Sequence, residues 1–341
     1  CINTMPTLHI NTMPTLHPLT LAALTTACLY SSAWAQTDTP PTDDAKLHAI
    51  SVHAAPSALT QNTVARAQQA AAQTPGGASV ITPERAQQGR VSNLQDTLGY
   101  APGVLAQSRF GAEETRLSIR GSGVQRTFHL RGVNLLQDGI PLNLADGSGD
   151  FQSLEPLAQS HVEVYRGANA LELGAATLGG SVNFISPTGY NSAPMLRVEG
   201  GSHNYRRLYA QAGGIIEPGV DGFIAAGHFY QQGFRDHARQ NVNRVTGNLG
   251  ISHSKTHETR LYFGHFDTES ELPGNLTWAQ LQANPRQANA GNISGDQKRD
   301  TVVSRLAVKH GWVTDAAQWE AAVHYTHKSL FHPIFQVLDQ V

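Results

Sequence analysis

The chain has two cysteines, Cys1 and Cys28, and both precede the point at which an exported protein would be cut. A mature chain would carry no thiol, which removes disulfide frameworks, thiolate metal sites and cysteine nucleophiles together. Charge is scarce as well, at 15% of residues with a formal net charge of -2. With no basic footprint, nucleic acid is not the main partner. Long apolar runs are missing after Gln36, so nothing there reaches the ~18 residues of a transmembrane helix. If this chain enters a membrane, it does so as a β-barrel. Catalytic signatures are absent too: there is no GxSxG, no HExxH and no paired metal-ligand spacing. Neither an enzyme nor a resident cofactor or metal site is expected. The scattered histidines read as surface or lumen polar residues, with contact to haem or a metal complex as the alternative.

What is present begins with a duplication, INTMPTLH at 2–9 and again at 10–17, read as a start-site artefact. The apolar run 18–35 is too short to span a bilayer and ends in Ala33-Trp34-Ala35, the small-x-small form of a signal-peptidase site. Residues 1–35 are therefore expected to be an export signal. Residues 36–74, rich in Ala, Gln, Thr, Asp and Pro, read as a flexible segment. One extended stretch interrupts it, LHAISVHA at 47–54, which is either linker or a strand offered to another protein's sheet edge.

From 75 to 187 the pattern is mixed α/β. ASVIT at 78–82 reads as a strand, Pro83-Glu84 starts a helix, and a second helix over 93–98 ends at Gly99. Short apolar strands follow near 117–119, 133–136, 162–165 and 181–185, with Asp138-Gly139 as a turn. The glycine-rich stretch YRGANALELGAATLGGSVNFIS (165–186) could suggest a phosphate loop, but Gly174 and Gly179 are followed by Gly180-Ser181 with no Lys. Gly121-Ser122-Gly123 lacks the third glycine of a dinucleotide fingerprint, and Gly179-Gly180 leads into a strand. Those glycines are expected to shape backbone.

After Pro187 the texture turns to long alternating segments. Trp319, Ala321, Val323 and Tyr325 share one face, while Gln318, Glu320, His324 and Thr326 take the other. Apolar out and polar in is the dyad pattern of a membrane barrel. Seven such segments are expected, near 195–201, 206–214, 222–231, 244–253, 258–267, 301–310 and 318–328. Long connections (232–242, 268–300) alternate with short ones (217–221, 254–257, 312–317), which places the chain's entry on the periplasmic side. A soluble β-sandwich shares the alternation, but segments of about ten residues match the ~9–11 that a bilayer needs. Seven strands would leave two unpaired edges, and Val341 follows directly on a strand, so the chain is expected to be a fragment.

Four stretches carry a resemblance: NLQDTLGYAPGV at 93–104, LSIRGSG at 117–123, VNLLQDGIPLN at 133–143 and VEVYRGANALELGAATLGGSVNFIS at 162–186. In order and spacing they resemble the plug motifs of TonB-dependent outer-membrane receptors. LLQDGIPLNLADG, YRGANAL and ELPGNLTWAQLQANPRQAN are similar to the ferric dicitrate receptor branch. The resemblance implies an α+β plug at 75–187, then the start (188–341) of a membrane β-barrel of about 22 strands. It implies an outer-membrane location with plug and N-terminus facing the periplasm, and a box at Leu47, Ile50, Ser51 and Val52 that pairs with TonB. A ferric chelate would bind from outside, with ferric dicitrate the first candidate. Another siderophore, haem or metal chelate, or a non-transporting secreted adhesin or signalling module, are the alternatives.

An anionic, oxygen-rich chelate calls for Arg forks and amide donors. The expected substrate contacts are Arg109, Gln125, Arg126 and Asn143, with Phe110 and Phe151 as walls, and the expected plug-barrel contacts are Arg120 and Arg131.

Overall fold

The computed structural model describes residues 63–87, 89, 91–109, 114–123, 130, 132–149, 151–174 and 177–333, all within one compact unit, His53–Val341. The first element corrects the expectation of a flexible segment up to residue 74. Val64–Gln73 is a helix (α1), and its sequence VARAQQAAAQ is dominated by strong helix formers. Thr63 caps it, its side chain accepting from the Arg66 amide, and the buried Ala67 faces inward.

Strand β1 (Ala78–Ile81) and helices α2 (Pro83–Gln87) and α3 (Leu94–Leu98) follow as expected, with Asn93 accepting from the Asp96 amide as the α3 cap. Strands β2 (Val104–Arg109) and β3 (Glu114–Ile119) form a separate two-stranded ribbon. The main plug sheet adds β4 (Val133–Gln137), β5 (Ile140–Pro141), β6 (His161–Arg166) and β7 (Gly180–Ile185) in the order β1-β6-β7-β4-β5. Only the β4–β7 pairing is parallel. Every residue of β7 is buried, because it lies at the centre of this sheet. Around it Leu98, Ile119, Leu135, Val162, Val182 and Phe184 make the plug core. Asp138 and Gly139 have φ of 55° and 78°, the two positive values that a two-residue hairpin between β4 and β5 needs.

Past Pro187 seven antiparallel strands form a continuous wall in chain order: β8 (Met195–Gly201), β9 (Tyr205–Glu217), β10 (Val220–Gln231), β11 (Gln240–Ser252), β12 (His257–Ser270), β13 (Asp300–Val313) and β14 (Gln318–Phe331). The alternation in the sequence becomes two faces of this sheet. One cross-strand row runs Ile224, Gly247, Phe263, Leu306, Tyr325, and its side chains are exposed on the outer face. The adjacent row runs Ala225, Thr246, Gly264, Arg305, Thr326 and faces the plug side. Strands β9 to β14 have 12 to 14 residues, longer than the alternation alone marked out. At ~3.4 Å per residue and a ~45° tilt they rise roughly 30 Å, a hydrocarbon core's thickness. At the short-turn end of the outer face Trp312 stacks on Trp319 at 6.1 Å, a placement suited to an interfacial girdle.

Candidate functional site

The glycines of 165–186 serve backbone packing. Gly180 has φ +150°, and a Cβ there would lie 2.3 Å from the Tyr165 carbonyl oxygen; at Gly179 it would lie 2.5 Å from the Ser122 side chain. Gly179 admits the loop bearing Ser122 against the start of β7, and Gly180 lets the β6 backbone at Tyr165 approach. Beside them Arg166 donates to the Ser79 hydroxyl (2.9 Å) and the Ala78 carbonyl (3.3 Å), tying β6 to β1. Burial, then the neighbouring Arg120, lowers the Arg166 pKa. Burial, with Glu163 and Glu172 nearby, pushes the Tyr165 hydroxyl up to about 12.

The wall holds the plug chiefly with its own cations. Arg207 Nη1 donates to the Val91 carbonyl at 2.8 Å and Arg197 Nη2 to the Gly89 carbonyl at 3.0 Å. Arg244 reaches Glu155 at 3.5 Å, both buried. Arg305 Nη1 donates to Gln137 Oε1 at 2.9 Å, and Lys309 Nζ to the Asp138 carbonyl at 3.3 Å. A small apolar contact reinforces these, Val91 and Leu157 against Tyr209 and Phe223.

The connector from plug to wall is held more tightly still. A register shift at Val220/Asp221 interrupts the β9–β10 ladder beside Asp221, whose buried carboxylate takes a forked pair from Arg260 at 2.6 and 3.1 Å. The same carboxylate accepts from the Gly189 amide at 2.8 Å. Arg260 also donates to Asn248 Oδ1 (2.6 Å), and Asn248 Nδ2 donates to the Pro187 carbonyl (2.8 Å). Asp138 fastens the other side, accepting from the Ser186 amide (2.9 Å) and hydroxyl (2.7 Å). Burial pushes its carboxyl above the ordinary range, against the Ser186 bonds, Lys309 and Arg260.

Among the described residues, two of the cavities between plug and wall bring charged side chains together. The one toward the short turns, about 280 Å³, is lined by Arg66 of α1, Asp138, Glu258, Arg260, Lys309 and Glu320. The other, about 250 Å³, lies between the plug segment 141–145 and the inner face of β13 and β14, where Arg305, His324 and Lys328 meet. At the long-loop end Arg235 donates to the carbonyls of Gly274 (2.6 Å), Gln287 (3.0 Å) and Pro273 (3.1 Å). The Asp236 amide binds the Arg286 carbonyl at 2.7 Å, so the loop 232–239 staples the loop 271–299.

Several expected contacts take other roles. Phe151 is 6% exposed and belongs to the plug core, because the 3₁₀ turn Phe151–Ser153 points it inward; this corrects its assignment as a ligand wall. Asn143 borders the second cavity, but its amide accepts from the Leu135 amide (2.6 Å) and donates to the Val133 carbonyl (3.3 Å), so it holds the plug turn. Arg120 donates to the Gly76 carbonyl at 2.9 Å, inside the plug, and this corrects its assignment as a barrel contact. Among the described contacts, Arg207, Arg197, Arg305 and Lys309 donate from wall to plug. Arg109 ends β2 by its backbone. Its side chain lies outside the described residues, as do Phe110, Gln125, Arg126, Arg131 and the box residues Leu47, Ile50, Ser51 and Val52.

Residues 70–181 match the family model of the TonB-dependent receptor plug domain. The chain carries a TonB-dependent receptor plug. The sheet that follows it matches the barrels of that family. The unliganded ferric citrate transporter FecA aligns with TM-score 0.66 at 18% identity, over 81% of this chain and 43% of that one. The ferric yersiniabactin uptake receptor FyuA from Yersinia pestis aligns with TM-score 0.61 at 17% identity, over 78% and 43%. In sequence, the ferripyoverdine receptor of Pseudomonas aeruginosa is 26% identical over 182 residues, and a probable TonB-dependent siderophore receptor of Acinetobacter baumannii, PiuA, 23% over 239. Those alignments cover 52% and 67% of this chain, which spans 21% and 30% of the two relatives.

Proposed function

We propose that this chain is the plug and first wall strands of an outer-membrane receptor that binds a ferric chelate outside the cell and imports it with energy from TonB. The observation that carries this reading is the plug seated against the inner face of a membrane-height wall, largely through hydrogen bonds and ion pairs. Such contacts can exchange with water, so a pulled plug can rearrange inside the lumen at lower cost than one sealed by a broad apolar interface. The box at Leu47, Ile50, Ser51 and Val52 would add a strand to TonB in the periplasm, with the short turns on that side and the loops 232–239 and 271–299 outside. Ferric dicitrate is the first candidate cargo, bound by Arg109, Gln125 and Arg126 beside Phe110. The siderophore receptors among the relatives favour a siderophore as the second.

The test is binding and energised uptake by the full-length receptor on a panel of ferric chelates. Ile50→Pro should leave binding intact and abolish uptake, since Pro removes a pairing donor. Arg109→Ala with Arg126→Ala should weaken ferric dicitrate binding by roughly tenfold or more, the loss of at least one charge-assisted bond. Energised uptake by the Ile50→Pro receptor sinks the box assignment, and unchanged affinity in the double variant sinks the cargo or its placement.

A further inference from the structure

Three imidazoles gather on the outer face of the wall at its short-turn end. His257 pairs across the register with Trp312 and Thr259 with His310, while the His253 amide donates to the His257 carbonyl at 2.9 Å. The Thr259 hydroxyl lies 2.8 Å from His253 Nε2 and 2.9 Å from His310 Nδ1. The centre of the His310 ring is 6.0 Å from that of His253 and 5.9 Å from that of His257. Thr259 occupies one nitrogen on each of two rings. His253 Nδ1, His310 Nε2 and both nitrogens of His257 are left without a hydrogen bond among the described residues.

The strands give the depth of this cluster in a bilayer. On β13 the outward residues run Leu306, Val308, His310, Trp312, and on β12 Phe263, Leu261, Thr259, His257. Leu306, Val308, Phe263 and Leu261 are exposed apolar side chains, so the apolar surface stops one or two outward residues short of each imidazole. Successive outward residues are ~7 Å apart along a strand, or ~5 Å along the bilayer normal at a ~45° tilt. The rings therefore lie roughly 5–10 Å beyond the last apolar side chain, and the polar layer on each side of a ~30 Å core is roughly 5–8 Å thick. That is the depth of lipid phosphate.

The chemistry agrees with the depth. Glu258 and Glu320 of the same strands line the 280 Å³ cavity on the plug side, and the adjoining turns carry one charge of each sign, Lys255 and Asp315. An imidazole offers one N–H when neutral and two when protonated, so three of them surround a phosphodiester with donors. Among the described residues no three His, Cys, Asp or Glu side chains are placed to hold a metal ion, which favours an anion over a cation as the occupant. Beside the rings stands the Trp312–Trp319 stack, with one of its indoles 5.7 Å from His310, and indoles suit the boundary between headgroup and acyl chain.

We propose that His253, His257 and His310 form a seat for the phosphate of a phospholipid in the periplasmic leaflet, with Trp312 and Trp319 against its glycerol and upper acyl chain. This rests on the wall spanning an outer membrane with its short turns in the periplasm. A lipid held there fixes the depth of the wall while the plug inside it is pulled.

Titration of the purified full-length receptor in neutral detergent with dioctanoyl phosphatidylglycerol, read by native mass spectrometry, is the test. The triple variant His253→Gln, His257→Gln, His310→Gln should lower the affinity of one lipid site about tenfold or more, the loss of at least one charge-assisted bond. His257→Arg should keep the site. His228→Gln, toward the long loops on the same face, should change it less than about twofold. Without added lipid the wild type and the triple variant should melt together, and the rise in melting temperature that the lipid gives the wild type should shrink in the variant. Equal lipid affinity in the two proteins overturns the proposal. Displacement of the lipid by an equal concentration of inorganic phosphate also overturns it, as the mark of a free-anion site, and so does histidine-dependent binding of zinc ion with unchanged lipid affinity. Brominated phospholipid in vesicles separates the seat from the membrane reading beneath it. Tryptophan quenching in both proteins, with equal lipid affinity, leaves the membrane reading and ends the seat. Histidine-dependent lipid binding in detergent, with no quenching in vesicles, ends the membrane reading and leaves the seat.

Discussion

Asp138 shows how much one residue can hold in this plug. It takes a positive φ in the hairpin turn, caps the Ser186 amide and hydroxyl at the plug's last strand, and offers its carbonyl to Lys309 of the wall. Its carboxyl titrates above the unfolded value, so folding favours the protonated form. Both states are protonated at low pH; as pH rises past the unfolded value of ~3.9 the unfolded chain loses its proton first, and stability falls until the folded group has ionised. Asp138→Asn keeps an acceptor for Ser186 and tolerates positive φ. It should match the wild type in melting temperature at acid pH and exceed it at neutral pH. Asp138→Ala should cost about 1–3 kcal/mol by leaving the Ser186 amide unpaired. A neutral-pH melting point for Asp138→Asn below that of the wild type would refute the account. Asp138-Gly139 was legible as a turn from sequence, because Asp and Gly supply the required φ. Its partner Ser186 was not, being 48 residues away.

Elements were legible where periodicity is local. The alternation marked all seven wall strands because one face meets the plug side and the other the surroundings, and that contrast is written in every second residue. Helix α1 was missed since an Ala- and Gln-rich stretch lacks an apolar stripe, although its Thr63 cap was in plain view. Strand β2 (VLAQSR) ends in three polar residues and so carries no apolar strand signal, and the 3₁₀ turns Phe151–Ser153 and Gly167–Leu173 are too short for any period to register. In the long loop 271–299, the helix Trp278–Ala283 begins with a capping box, Thr277 and Gln280, that the sequence did display. The element that orders that loop is Arg235, whose three acceptors are backbone carbonyls and so leave no side-chain signature. Burial lowers its pKa, as expected for a guanidinium in a loop interior. Arg235→Ala should make residues 271–299 about tenfold more sensitive to limited proteolysis, from loss of at least one ~1.5 kcal/mol bond, with the wall's melting point unchanged. Equal cleavage rates would show the staple to be without effect.

At the scale of the whole molecule the decisive contacts join plug to wall. The buried network Asp221–Arg260–Asn248 fixes the connector at Pro187 and Gly189, so motion of the plug has an anchored end. Arg260→Ala strands the Asp221 charge and should cost about 3–5 kcal/mol; Arg260→Lys, unable to fork, should recover only part. Thermal melting checks the first, and protease access to 187–191 reports whether the connector has come free. A variant melting with the wild type would place the anchor elsewhere.

The sequence by itself determined the plug-then-wall order, the wall strands and their two faces, and the structural role of the glycines, because dyad alternation and the backbone limits of glycine act over a few residues. Only the tertiary structure decided that Arg207, Arg197, Arg305 and Lys309 of the wall donate to the plug, that Arg120, Asn143 and Phe151 serve the plug itself, and that Lys328, His324 and Arg305 share one cavity. Those outcomes depend on register between strands and on packing across more than a hundred residues, where an arginine's partner is set by what the fold brings within 3 Å of it.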